Sequence, residues 1–110
     1  LTHIERVWMA KVVYHRYIGT KDKQQIDKRI TNLLSEKQKI SSYAIGLGLR
    51  FIYNFSAGLP KNLDNIKFKI KKNKLTCKIK SEAKALMDKE NERRFKNFAN
   101  ACNLNYEIIF

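Results

Sequence analysis

The residues able to do chemistry in this chain are cationic. Lys11, His15 and Arg16 fall within two turns of a helical pattern, where residues four apart share a face and make a small positive corner. Arg50 is the one charge in the apolar run from Tyr43 to Leu59. Lys37 and Lys39 precede that run, and Lys67, Lys69 and Lys78 alternate with apolar residues further on. Guanidinium groups grip phosphate oxygens two at a time, whereas lysines act as mobile point charges. Arg50 has two readings: a buried stem whose head reaches the surface, or a guanidinium aimed at an anion. His15 likewise reads as a hydrogen-bonded core residue or as part of a site.

Groups that make or break bonds have no pattern here. His3 and His15 are the only histidines, and Cys77 and Cys102 lie too far apart for metal-ligand spacing. Gly46-Leu47-Gly48 sits inside a helical pattern and lacks the third glycine and preceding strand of a phosphate loop. Ser41, Ser42, Ser56 and Ser81 have no base at a diagnostic spacing. Asp22, Asp27, Asp88, Glu90 and Glu92 read as helix caps or exposed helix charges. Read residue by residue, the sequence describes a polyanion-binding domain with no catalytic set, no cofactor and no metal of its own.

The charge points the same way. Of 110 residues, 23 are Lys or Arg and 10 Asp or Glu, a net +13 with a pI near 9.9. The excess is spread evenly: ten basic and four acidic residues up to Leu59, thirteen and six from Lys61 onward. A field of that sign favours nucleic acid, polyphosphate or an acidic membrane face. A lysine-rich codon usage accounts for part of it. The 44% apolar content argues against disorder, and the length suits one domain or two small lobes. The apolar run at Tyr43–Leu59 is too short, and Arg50 too central, for a bilayer span. No signal or transit segment is visible, so a cytoplasmic protein without membrane contact is expected. Both cysteines fall on apolar faces and are expected to be buried, reduced thiols.

The elements that must position the cations follow from periodicity. A first helix is expected from Thr2 or His3 to about Tyr17. A second is expected from Asp22, whose spacing to Gln25 fits a capping box, with Ile26, Ile30, Leu33 and Leu34 as its stripe. Lys37 to Lys39 read as a basic connector. Ser41 is the expected N-cap of the third helix, which Gly58 and Pro60 end. Gly46 and Gly48 inside it imply a close-packed neighbour.

After Pro60 the period becomes two. Ile66, Phe68 and Ile70, then Leu75, Cys77 and Ile79, alternate with lysines around a Lys72-Asn73 turn. A two-residue turn sets Ile70 opposite Leu75, Phe68 opposite Cys77 and Ile66 opposite Ile79, and on the other face Lys71 opposite Lys74 and Lys67 opposite Lys78. Opposed like charges leave that face either solvated or against an anion. A helix from Asp88 to about Cys102 carries Phe95, Phe98, Ala99 and Cys102 as a stripe, and Leu104 to Phe110 alternates as a last strand. The expectation is an α+β fold: a helical subdomain over 1–60 and a small ββαβ lobe over 61–110.

The order of these features resembles the C-terminal region of the exopolyphosphatase / guanosine pentaphosphate phosphohydrolase (Ppx/GppA) family. Ala10 to Arg16, AKVVYHR, is similar to the family's helix end in Tyr-His-Arg. Gly46 to Phe51, GLGLRF, is similar to its Leu-Leu-Arg-Leu-Ala helix. The basic connector, the hairpin, the charged helix and the closing strand follow in the family's order. The resemblance implies that the three helices end an HD-like domain. It places catalysis upstream, in an actin-like pair of domains with a glutamate base, a glycine-rich phosphate loop and a divalent metal such as Mg.

This chain, which opens on Leu1 rather than Met, would then be a piece of a longer polypeptide, inactive alone. It would guide polyphosphate toward the upstream catalytic domains and take part in a homodimer. By the same resemblance His15, Arg16 and Arg50 occupy anion-contacting positions, with Lys37 and Lys39 as looser matches. Lys67, Lys69 and Lys78 rest on charge alone. The competing reading is a stand-alone RNA-binding module, which would need exposed aromatics beside its basic groove.

Overall fold

The computed structural model describes residues 2–20 and 32–110. The chain forms two compact units, Leu1–Arg50 and Phe51–Phe110. The sequence-based division at Pro60 differs from this one by the last helical turns and the tail that follows them. The expected second helix, with Asp22, Gln25, Ile26 and Ile30, lies outside the described residues; its last two apolar positions lie inside, Leu34 buried and Leu33 exposed.

In the first unit, α1 spans His3–Ile18. It starts with a capping box: the Glu5 amide donates to Thr2 Oγ1 at 3.1 Å and the Thr2 amide donates to Glu5 Oε1 at 3.3 Å. Gly19 stops it, at φ 65°, with its N–H donating to the His15 carbonyl at 2.8 Å.

Helix α2 spans Glu36–Ser56 and begins before Ser41. Its cap is Ser35: the Gln38 amide donates to Ser35 Oγ at 3.1 Å and Gln38 Oε1 accepts from the Ser35 amide at 2.8 Å. Lys37 and Lys39 are therefore helical and not a connector. Cations are unfavourable in a first turn, but Glu36 sits beside them, 3.3 Å from Lys39 Nζ. Ser41, inside the helix, donates to the Gln38 carbonyl and accepts from Trp8 Nε1 at 2.9 Å. Gly46 lets α1 and α2 close up. A Cβ there would lie 2.7 Å from both His15 Cβ and the Val12 carbonyl oxygen.

The second unit holds the helix end Phe51–Ser56, two 3-10 segments (η1, Pro60–Asn65; η2, Ser81–Leu86), α3 (Lys89–Ala101) and a three-stranded sheet. Strands β1 (Ile66–Lys71) and β2 (Lys74–Ile79) pair antiparallel in the register expected from the sequence. Lys72 and Asn73 both take positive φ, 49° and 62°, which a primed hairpin turn requires. Strand β3 (Asn105–Ile109) pairs parallel to β2, so the spatial order is β1-β2-β3. Helix α3 supplies the crossover that a parallel pair needs. Asp88 caps it, its carboxylate accepting from the Asn91 amide at 2.8 Å. Asn103 ends it in the left-handed region, φ 59°, and the Leu104 amide reaches back to the Ala99 carbonyl.

The core of this unit is built from Phe51, Phe55, Leu75, Cys77, Ile79 and Phe95. The middle strand β2 alternates between buried and exposed along its length, whereas β1 buries only Ile66. Phe68 and Ile70 stay 43% and 66% exposed, although their register places them on the core side. Helix α3 packs on β3 and leaves the far edge open. The cysteines also divide. Cys77 is enclosed, and burial pushes its thiol up to about 12. Cys102 is exposed, against expectation, because α3 ends at Ala101 and the stripe it continues ends there.

Candidate functional site

The hairpin carries the densest charge. Its two-residue turn puts Lys67, Lys69 and Lys71 of β1 and Lys74 and Lys78 of β2 on one sheet face, all exposed. Residues two apart on a strand are about 7 Å apart, and directly opposed residues about 5.5 Å. Lys74 is neutralised by Glu107 of β3, at 2.7 Å. Among the described residues no carboxylate forms an ion pair with Lys67, Lys69 or Lys78. At the open end of the hairpin a depression of about 250 Å³ is lined by Asp64, Asn65, Lys67, Lys78, Ile79 and Lys80. Three lysines and one aspartate thus contribute to the wall of one concavity. Lys67 faces Lys78 directly, an opposition of like charges that costs the hairpin stability when nothing lies between them. An anion seated there removes that cost.

The other sequence-predicted residues belong to the first unit. Arg50 Nη1 donates to the carbonyls of Arg16, at 3.0 Å, and Tyr17, at 2.7 Å. These are the last carbonyls of α1, where a cation is favoured by the helix dipole. Gly19 leaves room for it: a Cβ at that position would lie 3.0 Å from Arg50 Nε. Arg50 therefore locks the end of α1. Arg50→Ala is expected to lower the stability of this unit by about 1.5–3 kcal/mol, the worth of a charge-assisted hydrogen bond. Urea unfolding followed by fluorescence of Trp8, the single tryptophan, measures it.

His15 is buried, its ring meeting the edges of Tyr14 and Tyr43 at 5.2 and 4.8 Å. The Arg16 guanidinium lies 4.9 Å from the Tyr17 ring centre. The three are brought together at one end of α1. Lys37 and Lys39 are not with them; they stand eleven to thirteen residues earlier on α2 than Arg50, roughly 16–20 Å along the axis. Lys39 spends its charge on Glu36 and Asn32. In the second unit Lys67, Lys69 and Lys78 do share a face.

Sequence reasoning missed Lys80 and Asp64 at the depression. Lys80 follows Lys78 in the alternation and was legible; Asp64 reaches the site only through η1. Among the described residues no three His, Cys, Asp or Glu side chains are grouped to hold a metal ion. Among them no helix is long and apolar enough to cross a membrane.

Fold and surface together define an α+β domain that presents a lysine-lined sheet face. The chain belongs to the exopolyphosphatase C-terminal family: that family's model, described as exopolyphosphatase, C-terminal, matches residues 1–109. No curated protein matches it.

Proposed function

We propose that this chain is the accessory C-terminal part of an exopolyphosphatase-type enzyme and holds a phosphate chain on the lysine face of its hairpin. Lys67, Lys78 and Lys80 bind at the depression, and Lys69 extends the track along β1. Bond cleavage, and the divalent metal that assists it, belong to other domains of a longer cytoplasmic polypeptide. The observation that carries this reading is the opposed pair Lys67 and Lys78, exposed and without an ion-pair partner among the described residues, beside a concavity of about 250 Å³. The end of α1, with Arg16 and Arg50, is a second cationic corner. The carbonyl bonds of Arg50 make it a structural residue first.

An RNA-binding reading is less well supported. Base stacking needs an aromatic on the charged face. In this unit Phe68 and Tyr106 project from the other side of the sheet, against Phe95.

The test is a competition on the whole chain between long-chain polyphosphate and poly-U at two salt concentrations. Polyphosphate is expected to win, with affinity falling steeply as salt rises through counterion release. Lys67→Ala with Lys78→Ala is expected to weaken polyphosphate binding about tenfold or more and to flatten the salt dependence. Tighter binding to poly-U, or an unchanged affinity in the double variant, would remove the proposal.

A further inference from the structure

We infer that the outer edge of β1 is a docking site for an extended peptide in which acidic and apolar residues alternate, added as a fourth strand beside β1. The argument starts from the turn. In a hairpin closed by two residues the flanking pair, Lys71 and Lys74, exchanges both backbone hydrogen bonds. Alternation then directs the N–H and C=O of Lys67, Lys69 and Lys71 at β2. Those of Phe68 and Ile70 face away from it. The other side of β2 obeys the same rule: the Asn73 carbonyl accepts from the Asn105 amide of β3 at 2.8 Å. Five of the six residues of β1 are exposed, so these outward groups are open to a partner strand.

The side chains say which partner. On one face β1 offers Phe68 and Ile70, large apolar groups left 43% and 66% exposed. On the other it offers Lys67, Lys69 and Lys71, without ion pairs among the described residues. A strand laid alongside must match both faces at period two. Strand β3 already does this on the opposite side of the sheet. Its Tyr106 and Ile108 lie on the core side, aligned with Leu75 and Cys77, while Glu107 pairs with Lys74 at 2.7 Å on the other. A peptide on β1 repeats that arrangement. A second copy of this chain does not: two antiparallel β1 strands would set lysine against lysine on the charged face, an unfavourable opposition.

This inference does not rest on the polyphosphate reading, and its test separates the two. A blocked synthetic peptide of about eight residues, alternating glutamate and valine, is titrated into the whole chain and followed by amide chemical shifts. Shifts are expected at Ile66–Lys71. Ile70→Lys together with Phe68→Lys is expected to weaken the peptide about tenfold, through lost cross-strand apolar pairs, and to leave polyphosphate affinity no lower. Lys67→Glu, Lys69→Glu and Lys71→Glu together are expected to reject this peptide and accept its lysine–valine counterpart. Those glutamates face Lys78, Thr76 and Lys74, so the hairpin itself is not endangered. Shifts confined to β3 or α3, binding indifferent to Phe68 and Ile70, or self-association of the chain that Ile70→Lys abolishes would each overturn the inference.

Discussion

Gly46→Val is expected to cost the helical unit about 3 kcal/mol or more, and Gly46→Ala roughly half of that, although both residues are better helix formers than glycine. Alanine alone would add about 1 kcal/mol of helix propensity. The sign is decided by what the new atom meets. Its Cβ would stand 2.7 Å from a backbone oxygen, that of Val12, and 2.7 Å from His15 Cβ, with the Arg16 amide nitrogen at 3.2 Å. None of these is the end of a flexible side chain, so the two helices must part. Parting them stretches the Trp8–Ser41 hydrogen bond, 2.9 Å across the same pair of helices, and loosens His15 from Tyr43. The urea midpoint read by Trp8 fluorescence is the measurement. A higher midpoint for Gly46→Ala would mean that propensity wins and that the helices do not approach so closely.

The hairpin was the most legible part of the sequence. Two alternating runs separated by two turn residues admit one register, and Ile66–Ile79, Phe68–Cys77 and Ile70–Leu75 are paired as that rule requires. Nothing local encodes the partner of β3, because a parallel neighbour is chosen by the crossover helix and not by the strand. The start of α2 was misread for a different reason. Ser35 and Gln38 form a capping box visible in the sequence, but the lysines around it resemble a solvated loop, and Ser41 stands nearer the apolar run. Once the helix begins at Glu36, Ser41 lies inside it and its hydroxyl turns to Trp8.

The candidate site was half legible for the same physical reasons. Charge alternation by itself places Lys67, Lys69 and Lys78 on one face. It cannot say that Lys74 is answered by Glu107, which needs β3 beside β2. Arg50 was legible as an anomaly, a charge in an apolar run. Its partners, the Arg16 and Tyr17 carbonyls, are more than thirty residues away and carry no sequence signal, since every residue has a carbonyl. The exposure of Phe68 and Ile70 was hidden too. Alternation tells which face a side chain takes, not how far α3 extends over that face.

That uneven cover leads to the second large effect, Phe95→Ala against Phe68→Ala. Phe95 is wholly enclosed, its ring 5.2 Å from Phe51, 6.2 Å from Phe68 and 6.3 Å from Tyr106. Its truncation removes the side chain that ties α3 to the sheet and leaves a cavity, a loss of about 3–5 kcal/mol. Phe68, on the open edge, has less burial to lose, and Phe68→Ala is expected to cost about 1–2 kcal/mol. Cys77 reports the difference, in a Cys102→Ser background that removes the exposed thiol. Burial pushes its thiol up to about 12 in the folded chain; an opening that exposes it returns the thiol toward its usual range, where it ionises and reacts far more readily. Labelling of Cys77 by a disulfide reagent at pH 8 follows the fraction of opened molecules, so the larger loss of stability in Phe95→Ala should accelerate it by two orders of magnitude or so, and the smaller loss in Phe68→Ala only modestly. Equal acceleration in the two variants would place the weight of this core at the β1 edge, and would leave no reason for Phe68 and Ile70 to stay exposed there.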